Sequence, residues 1–240
     1  MDIIRNEFKG WKMWEVSWLI IACTIIAGLS IYWGDSLMGI ISATTGVACV
    51  VCTGKGKLSA YLFGVVNCVL YAIISYKATL YGETMLNVLY YVPMQFYGFY
   101  VWNRNMNNTT HEVKKRHMSN KWRILVLFSI IILTCGYGYI LNIMGDAMPL
   151  MDSFTTICSI FAMVISIKMF SEQWWLWIFV DVFTVIMWTR AFIGGNESIA
   201  TLLMWIVYLG NAIIMCYKWE KEVYLNKNVF TCDTDVHTPM

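Results

Sequence analysis

Trp174-Trp175-Leu176-Trp177-Ile178-Phe179-Val180-Asp181 stands inside an apolar run that continues to Trp188. A run of this length crosses the hydrocarbon of a bilayer when it coils at about 1.5 Å per residue, and only a helix satisfies the backbone of such a segment in lipid. On that helix Trp174, Trp177 and Asp181 fall at i, i+3 and i+7 and project from one face. A carboxylate inside an apolar helix costs about 2.5–3.5 kcal/mol on insertion scales, so it faces a bundle interior or a wet cavity. Two readings compete here. An interfacial belt of indoles, with Asp181 as a helix-packing partner, suits Trp174 and Trp175. Trp177 and Asp181 lie further inward and suit a binding site better.

The rest of the chain agrees with a membrane setting. Of 240 residues, 59% are hydrophobic and 13% charged, and the mean hydropathy is +0.59. A soluble domain carries about 25% charged residues. The net charge of +2 gives no reason to expect a nucleic-acid partner. Eight cysteines do not make a disulfide framework outside a short secreted chain, and Cys49-Val50-Val51-Cys52 lacks the soluble context of a redox motif. The seven cysteines in apolar segments read as small buried hydrophobes. No second Cys pair or paired His joins them to supply metal-ligand spacing, so neither a metal nor a cofactor is expected. Residues 1–15 mix acidic and basic groups, with no small-residue cleavage site after the first apolar run, unlike a cleaved signal peptide.

Eight apolar stretches, at 16–33, 36–53, 58–77, 84–103, 123–141, 147–168, 173–192 and 199–217, reach lipid-crossing length. They define the fold class as an all-α integral membrane protein of eight transmembrane helices. The expected order is an amphipathic N-terminal segment (1–15), an extra helix (16–33), a three-helix repeat (36–104), a loop (105–122), a linking helix (123–141), a second three-helix repeat (147–218) and a tail (219–240). Of the 17 basic residues, all but Lys77 and Arg190 fall on one side of such a bundle. The positive-inside rule then makes both termini cytoplasmic. Lys114-Lys115-Arg116 reads as a solvated loop able to touch anionic headgroups.

Sliding residues 36–104 by 114 positions brings spans and turns into coincidence without a gap. Asn67 then meets Asp181, Phe63 meets Trp177, Tyr61 meets Trp175, Lys57 meets Ser171, and Glu83 meets Glu197. Three helices, one linking helix and three more give a 3+1+3 core with parallel repeats around an axis along the membrane normal. In that arrangement Asn67 and Asp181 face each other near midplane, where they can hold a polyhydroxylated ligand or simply bond to each other and to Ser or Thr neighbours. Asn87, Tyr91 and Gln95 form one stripe of the fourth span beside Pro93, as a cavity wall does. Tyr208 and Asn211 make a smaller polar face on the last span, open to a second reading as interhelical hydrogen bonds. Glu83 and Glu197 each precede a span and suit the positive end of a helix dipole.

These residues resemble a family. Trp174-x-x-Trp177-x-x-x-Asp181 is similar to the WxxWxxxN/D pattern of the PnuC-type nicotinamide riboside transporters. The stretch from Gly82 through Asn87 and Tyr91 to Gln95, Gly98 and Trp102 resembles that family too. The likeness covers roughly residues 16–220, and the 3+1+3 parallel repeat is shared with SWEET sugar transporters. The resemblance implies an inner (plasma) membrane facilitator for a nucleoside-like NAD precursor, running downhill while phosphorylation traps the cargo inside. It also implies a homotrimer with one pathway per protomer. Nicotinamide riboside carries a cationic ring, which indole faces attract by about 0.5–2 kcal/mol. Asn67, Asn87, Gln95 and Asn211 offer partners for its ribose and carboxamide, and Asp181 for its charge or hydroxyls. A phosphorylated nucleotide finds no Lys or Arg near the middle of the spans.

Other readings stay open at this stage. Thiamine is also a cationic aromatic, so indoles alone do not separate it from a riboside. A membrane binding or assembly module without transport needs a soluble portion to signal through, and only residues 104–122 and the tail provide one. An intramembrane enzyme needs paired acids, a nucleophile with its base, or a metal set. Asp152 and Asp181 stand on separate helices with no partner His, so an enzyme is not expected.

Overall fold

Every apolar run becomes a helix. The computed structural model describes residues 7, 9–77, 84–107, 111–145, 149–193 and 199–234. Among them the regular elements are eight helices and two isolated bridges, with no strand. They are α1 (Met13–Tyr32), α2 (Leu37–Lys55), α3 (Ser59–Lys77), α4 (a π-helical segment Leu86–Tyr91 running into the α-helix Val92–Arg104), α5 (Asn120–Ile143), α6 (Pro149–Ile167), α7 (Gln173–Ile193) and α8 (Ile199–Thr234). Six have the length and hydropathy of a lipid-crossing helix: α1, α2, α3, α5, α6 and the Ile199–Leu225 part of α8. Of the two others, α4 is rich in Tyr, Trp and polar groups, which lower hydropathy even where the rings bury a large area, while α7 is as apolar as the six. They are also the helices that carry Asn87, Gln95, Trp177 and Asp181.

Local chemistry sets the helix ends. Ser36 caps α2 by accepting from the Gly39 N–H at 3.1 Å, and Gly56 closes it in the left-handed region at φ 81°. The Asp35 carboxylate accepts from the Ala200 N–H at 2.9 Å, so an acid sits at the electropositive start of α8. The sequence reading gave that part to Glu83 and Glu197, which lie outside the described residues.

The chain divides into two units. The first comprises residues 1–114 and 180–211. Its core joins Ala22 and Ile26 of α1, Ala43, Val47 and Val51 of α2, Tyr71 of α3, and Ala200 and Met204 of α8, with Trp18, Trp188 and Tyr208 packed against them. The extra helix α1 is thus part of this core. At the α2–α3 turn Lys55 pairs with Glu15 and Glu112, each at 3.0 Å, and the Lys57 ammonium donates to the His111 carbonyl at 3.1 Å. Burial of Lys57 pushes its pKa below the ordinary lysine value, partly offset by Glu112 and Glu7. The Glu7 carboxylate accepts from the Ser59 N–H at the start of α3.

The second unit comprises residues 115–179 and 212–240. Here α5 packs against α6, joined by the Ser153 hydroxyl donating to the Thr134 carbonyl at 2.7 Å. Trp174 meets Trp219 edge to face at 5.7 Å, with the Lys115 ammonium over the Trp219 ring. Glu172 accepts from the Met118 N–H and from Arg123, and the Ser171 hydroxyl bonds His117 at 2.8 Å.

Several expectations change. The Lys114-Lys115-Arg116 loop is solvated only in part: Lys114 and Arg116 are exposed, with Arg116 over the Phe170 ring, but Lys115 is buried against Trp219 and paired with Glu222. The last helix does not end near 217 but continues as α8 to Thr234, so the segment from 219 begins inside a helix. Met13, Trp14 and Glu15 belong to α1 rather than to a separate surface segment. Cys135 is exposed, unlike Cys52, Cys68, Cys158 and Cys216, which are buried.

The two hairpin turns share a hydrogen-bond pattern, but 113 positions apart rather than 114. Gly56 and Met169 both adopt left-handed backbone, at φ 81° and 60°. Lys57 N–H donates to Cys52 as Phe170 N–H does to Ile165, and Tyr61 N–H to Leu58 as Trp174 N–H does to Ser171. Tyr61 therefore corresponds to Trp174, not to Trp175, and Lys57 to Phe170, not to Ser171. Hydropathy tolerates a one-residue slip between two uniformly apolar hairpins, whereas the turn bonds do not.

Candidate functional site

The polar side chains of the first unit converge where three helices lack a Cβ. At Gly46 on α2, a Cβ would lie 2.0 Å from the Tyr208 hydroxyl and 2.7 Å from Asn67 Nδ2. At Gly64 on α3 it would meet the Gln95 amide at 2.5 Å, and at Gly98 on α4 the Tyr61 ring at 2.2 Å. Each glycine makes room for a polar or aromatic side chain from a neighbouring helix.

Hydrogen bonds fix most of these groups. Asn67 Nδ2 donates to the Ser42 carbonyl at 2.8 Å and approaches Ser42 Oγ at 3.3 Å and Met204 Sδ at 3.9 Å. Gln95 Nε2 donates to Cys68 Sγ at 3.8 Å. Tyr208 stacks edge to face on Trp205 at 5.2 Å, and its hydroxyl lies within electrostatic range of Cys49, Cys68, Tyr71 and Asp181. Asp181 is 2% exposed, and no ion pair to it occurs among the described residues. One turn beyond Tyr208, Asn211 donates to the Val50 carbonyl at 3.1 Å, while its Oδ1 is buried with no partner. The cluster thus combines donors, acceptors and one buried carboxylate, a set suited to a polar ligand.

Helix α4 departs from the straight stripe read from the sequence. Pro93 has no N–H and its ring clashes with the carbonyl four residues earlier, so a regular α-helix fails there. The chain widens instead into the π segment Leu86–Tyr91, where Val92 N–H reaches back to the Asn87 carbonyl. Such segments recur at functional sites. Asn87 and Gln95 are buried and Tyr91 is half-buried, its ring 5.4 Å from that of Tyr90.

Of the nine residues picked from the sequence, Asn67, Gln95 and Tyr208 gather around the glycine bays, Asp181 lies within electrostatic range of Tyr208, and Asn211 is adjacent along α8. Asn87 and Tyr91 share α4 with Gln95. Trp174 and Trp177 belong to the second unit, where Trp174 is buried against Trp219 and Trp177 is half-buried. Sequence reasoning missed Ser42, Cys68 and Tyr61. The three glycines were the available signal, because each stands on a span opposite a large polar or aromatic side chain.

Comparison with known proteins places this geometry. Residues 36–221 match the family model described as nicotinamide mononucleotide transporter. The chain is 40% identical over 224 residues to a Neisseria mucosa protein named nicotinamide riboside transporter PnuC, a match that covers 91% of this chain and 85% of that one. A Haemophilus influenzae protein of the same name is 34% identical over 227 residues, covering 92% and 96%. A crystal structure of the vitamin B3 transporter PnuC aligns with a TM-score of 0.84 at 38% identity, covering 93% of this chain and 98% of that one.

Proposed function

The chain belongs to the nicotinamide mononucleotide transporter family, and from that premise we propose that it carries nicotinamide riboside across a membrane. The observation that carries this reading is the buried polar cluster around Gly46 and Gly64, at lipid-crossing helices, in a chain 40% identical to a riboside transporter. The family name mentions a mononucleotide and the relatives' names a riboside. Among the described residues, no Lys or Arg is a hydrogen-bond partner of Asn67 or a charge acting on Tyr208, which favours the riboside over a phosphorylated cargo. The protein is a transporter, not an enzyme.

In this reading Asp181 faces the cationic ring or accepts from ribose hydroxyls. Asn67, Asn87, Gln95 and Asn211 supply amides to ribose and carboxamide, and Tyr91 and Tyr208 add hydroxyls. Trp177 supplies an aromatic face for the cation, with Trp174 behind it on the same side of α7. The matched turns at Gly56 and Met169 support two three-helix repeats joined by α5, a 3+1+3 core of SWEET type, with α1 added in front. Transport runs downhill without a coupled ion, both termini are cytoplasmic, the membrane is the inner (plasma) membrane, and the assembly is a homotrimer.

Calorimetry on the purified protein with nicotinamide riboside, thiamine and uridine side by side tests the substrate assignment. The expected outcome is tightest binding of nicotinamide riboside. Tighter binding of thiamine would reassign the cargo to that vitamin.

A further inference from the structure

Tyr61 was not among the site residues chosen from the sequence, yet it is a closely packed polar side chain with a free hydroxyl. It is 6% exposed, and its hydroxyl is buried with no hydrogen-bond partner among the described residues. Nearly all buried polar groups are satisfied, so an orphaned hydroxyl calls for a partner that is present only some of the time. The ring cannot swing to find one. It meets Trp102 edge to face at 5.1 Å and 85°, Trp102 is fully buried, and the ring fills the space left by Gly98.

The held hydroxyl belongs to the same wall as the site. Tyr61 and Gly64 are three residues apart on α3, and Gln95 and Gly98 are three residues apart on α4. The Tyr61–Gly98 contact is therefore just under one helical turn, about 4.5 Å, from the Gln95–Gly64 contact. Cys49, which lies within electrostatic range of Tyr208, is also within range of Tyr61. The second unit repeats the device. Trp174 corresponds to Tyr61 by its turn bonds, is pinned edge-on by the fully buried Trp219, and also carries a buried donor with no partner.

We propose that Tyr61 is a further substrate-binding residue, its hydroxyl donating to a hydroxyl or carboxamide oxygen of the cargo. This rests on the transport reading above and extends its site by one turn of α3 and α4. The packing of Trp102 and Gly98 against the ring is what aims the hydroxyl, so the two parts of the side chain have separable roles.

Tyr61→Phe separates them, because it keeps the ring and removes only the oxygen. Nicotinamide riboside is titrated calorimetrically into wild type and variant, and the melting temperature of each is measured without ligand. The expected result is binding weakened about three- to tenfold, with a melting temperature that does not fall, since an unpartnered buried hydroxyl contributes nothing to the empty fold. Unchanged affinity would overturn the assignment, and so would a loss of affinity accompanied by an equal loss of stability. No binding by the wild type would instead contradict the transport reading itself.

Discussion

The Tyr208 hydroxyl occupies the space that a side chain at Gly46 would fill, since a Cβ there would lie 2.0 Å from the oxygen. Only glycine permits this approach of α8 to α2. Gly46→Ala therefore drives Tyr208 aside and crowds Asn67, whose Nδ2 would be 2.7 Å from the new methyl. The expected outcome is a protein that folds, with about 1–3 kcal/mol less stability and at least about tenfold weaker ligand binding. Thermal denaturation and calorimetry on one preparation check both parts.

Lys55 sits between Glu15 and Glu112 at the α2–α3 turn, and the Lys55 and Glu15 side chains are both buried. Removing the cation leaves carboxylates without their counter-charge, which costs far more than an exposed pair. Lys55→Met is expected to destabilise the protein by about 3–5 kcal/mol. The double variant Lys55→Met with Glu15→Leu should recover part of that loss. Equal melting temperatures for wild type and Lys55→Met would show the pairing to be without energetic weight.

Asp181 is buried and has no ion pair among the described residues, so a cationic cargo is its natural counter-charge. Asp181→Asn keeps the shape and most hydrogen-bonding capacity while removing the charge. A charge-assisted contact contributes about 1.5–3 kcal/mol, so affinity for nicotinamide riboside should fall about ten- to a hundredfold. A variant that binds as tightly as wild type would assign Asp181 to helix packing.

The helices were legible because lipid imposes one length and one backbone solution on every span. The two Trp- and Tyr-rich spans were identified by the same length, although α4 is less apolar than the other helices. Local ionic partners were not legible. Lys55 and Lys115 look like loop cations in the sequence, but Glu15 and Glu112 pair with Lys55 across 40 and 57 residues, and Glu222 with Lys115 across 107. Nothing in the spacing of Asp35 marks it as the cap of a helix 165 residues away. The slip between Tyr61 and its counterpart arose because an apolar hairpin looks the same when moved by one residue. The tight turn bonds at Gly56 and Met169 remove that freedom.

Much of the buried polar cluster was legible for a different reason. Asn67, Gln95 and Asp181 are costly in lipid, so their presence in spans already marks an interior face. Tyr61 escaped notice because tyrosine is ordinary at the ends of spans. What distinguishes it is an orphaned hydroxyl, a property of packing.

Uptake of labelled nicotinamide riboside into proteoliposomes, with wild type run beside Asn87→Ala and Trp177→Ala, bears most directly on the proposal that a buried polar cluster carries this cargo downhill. The wild type should fill the vesicles to the external concentration and no further, unaffected by a protonophore, while each variant fills them severalfold more slowly. Empty vesicles with wild type, or variants indistinguishable from it, would contradict the account.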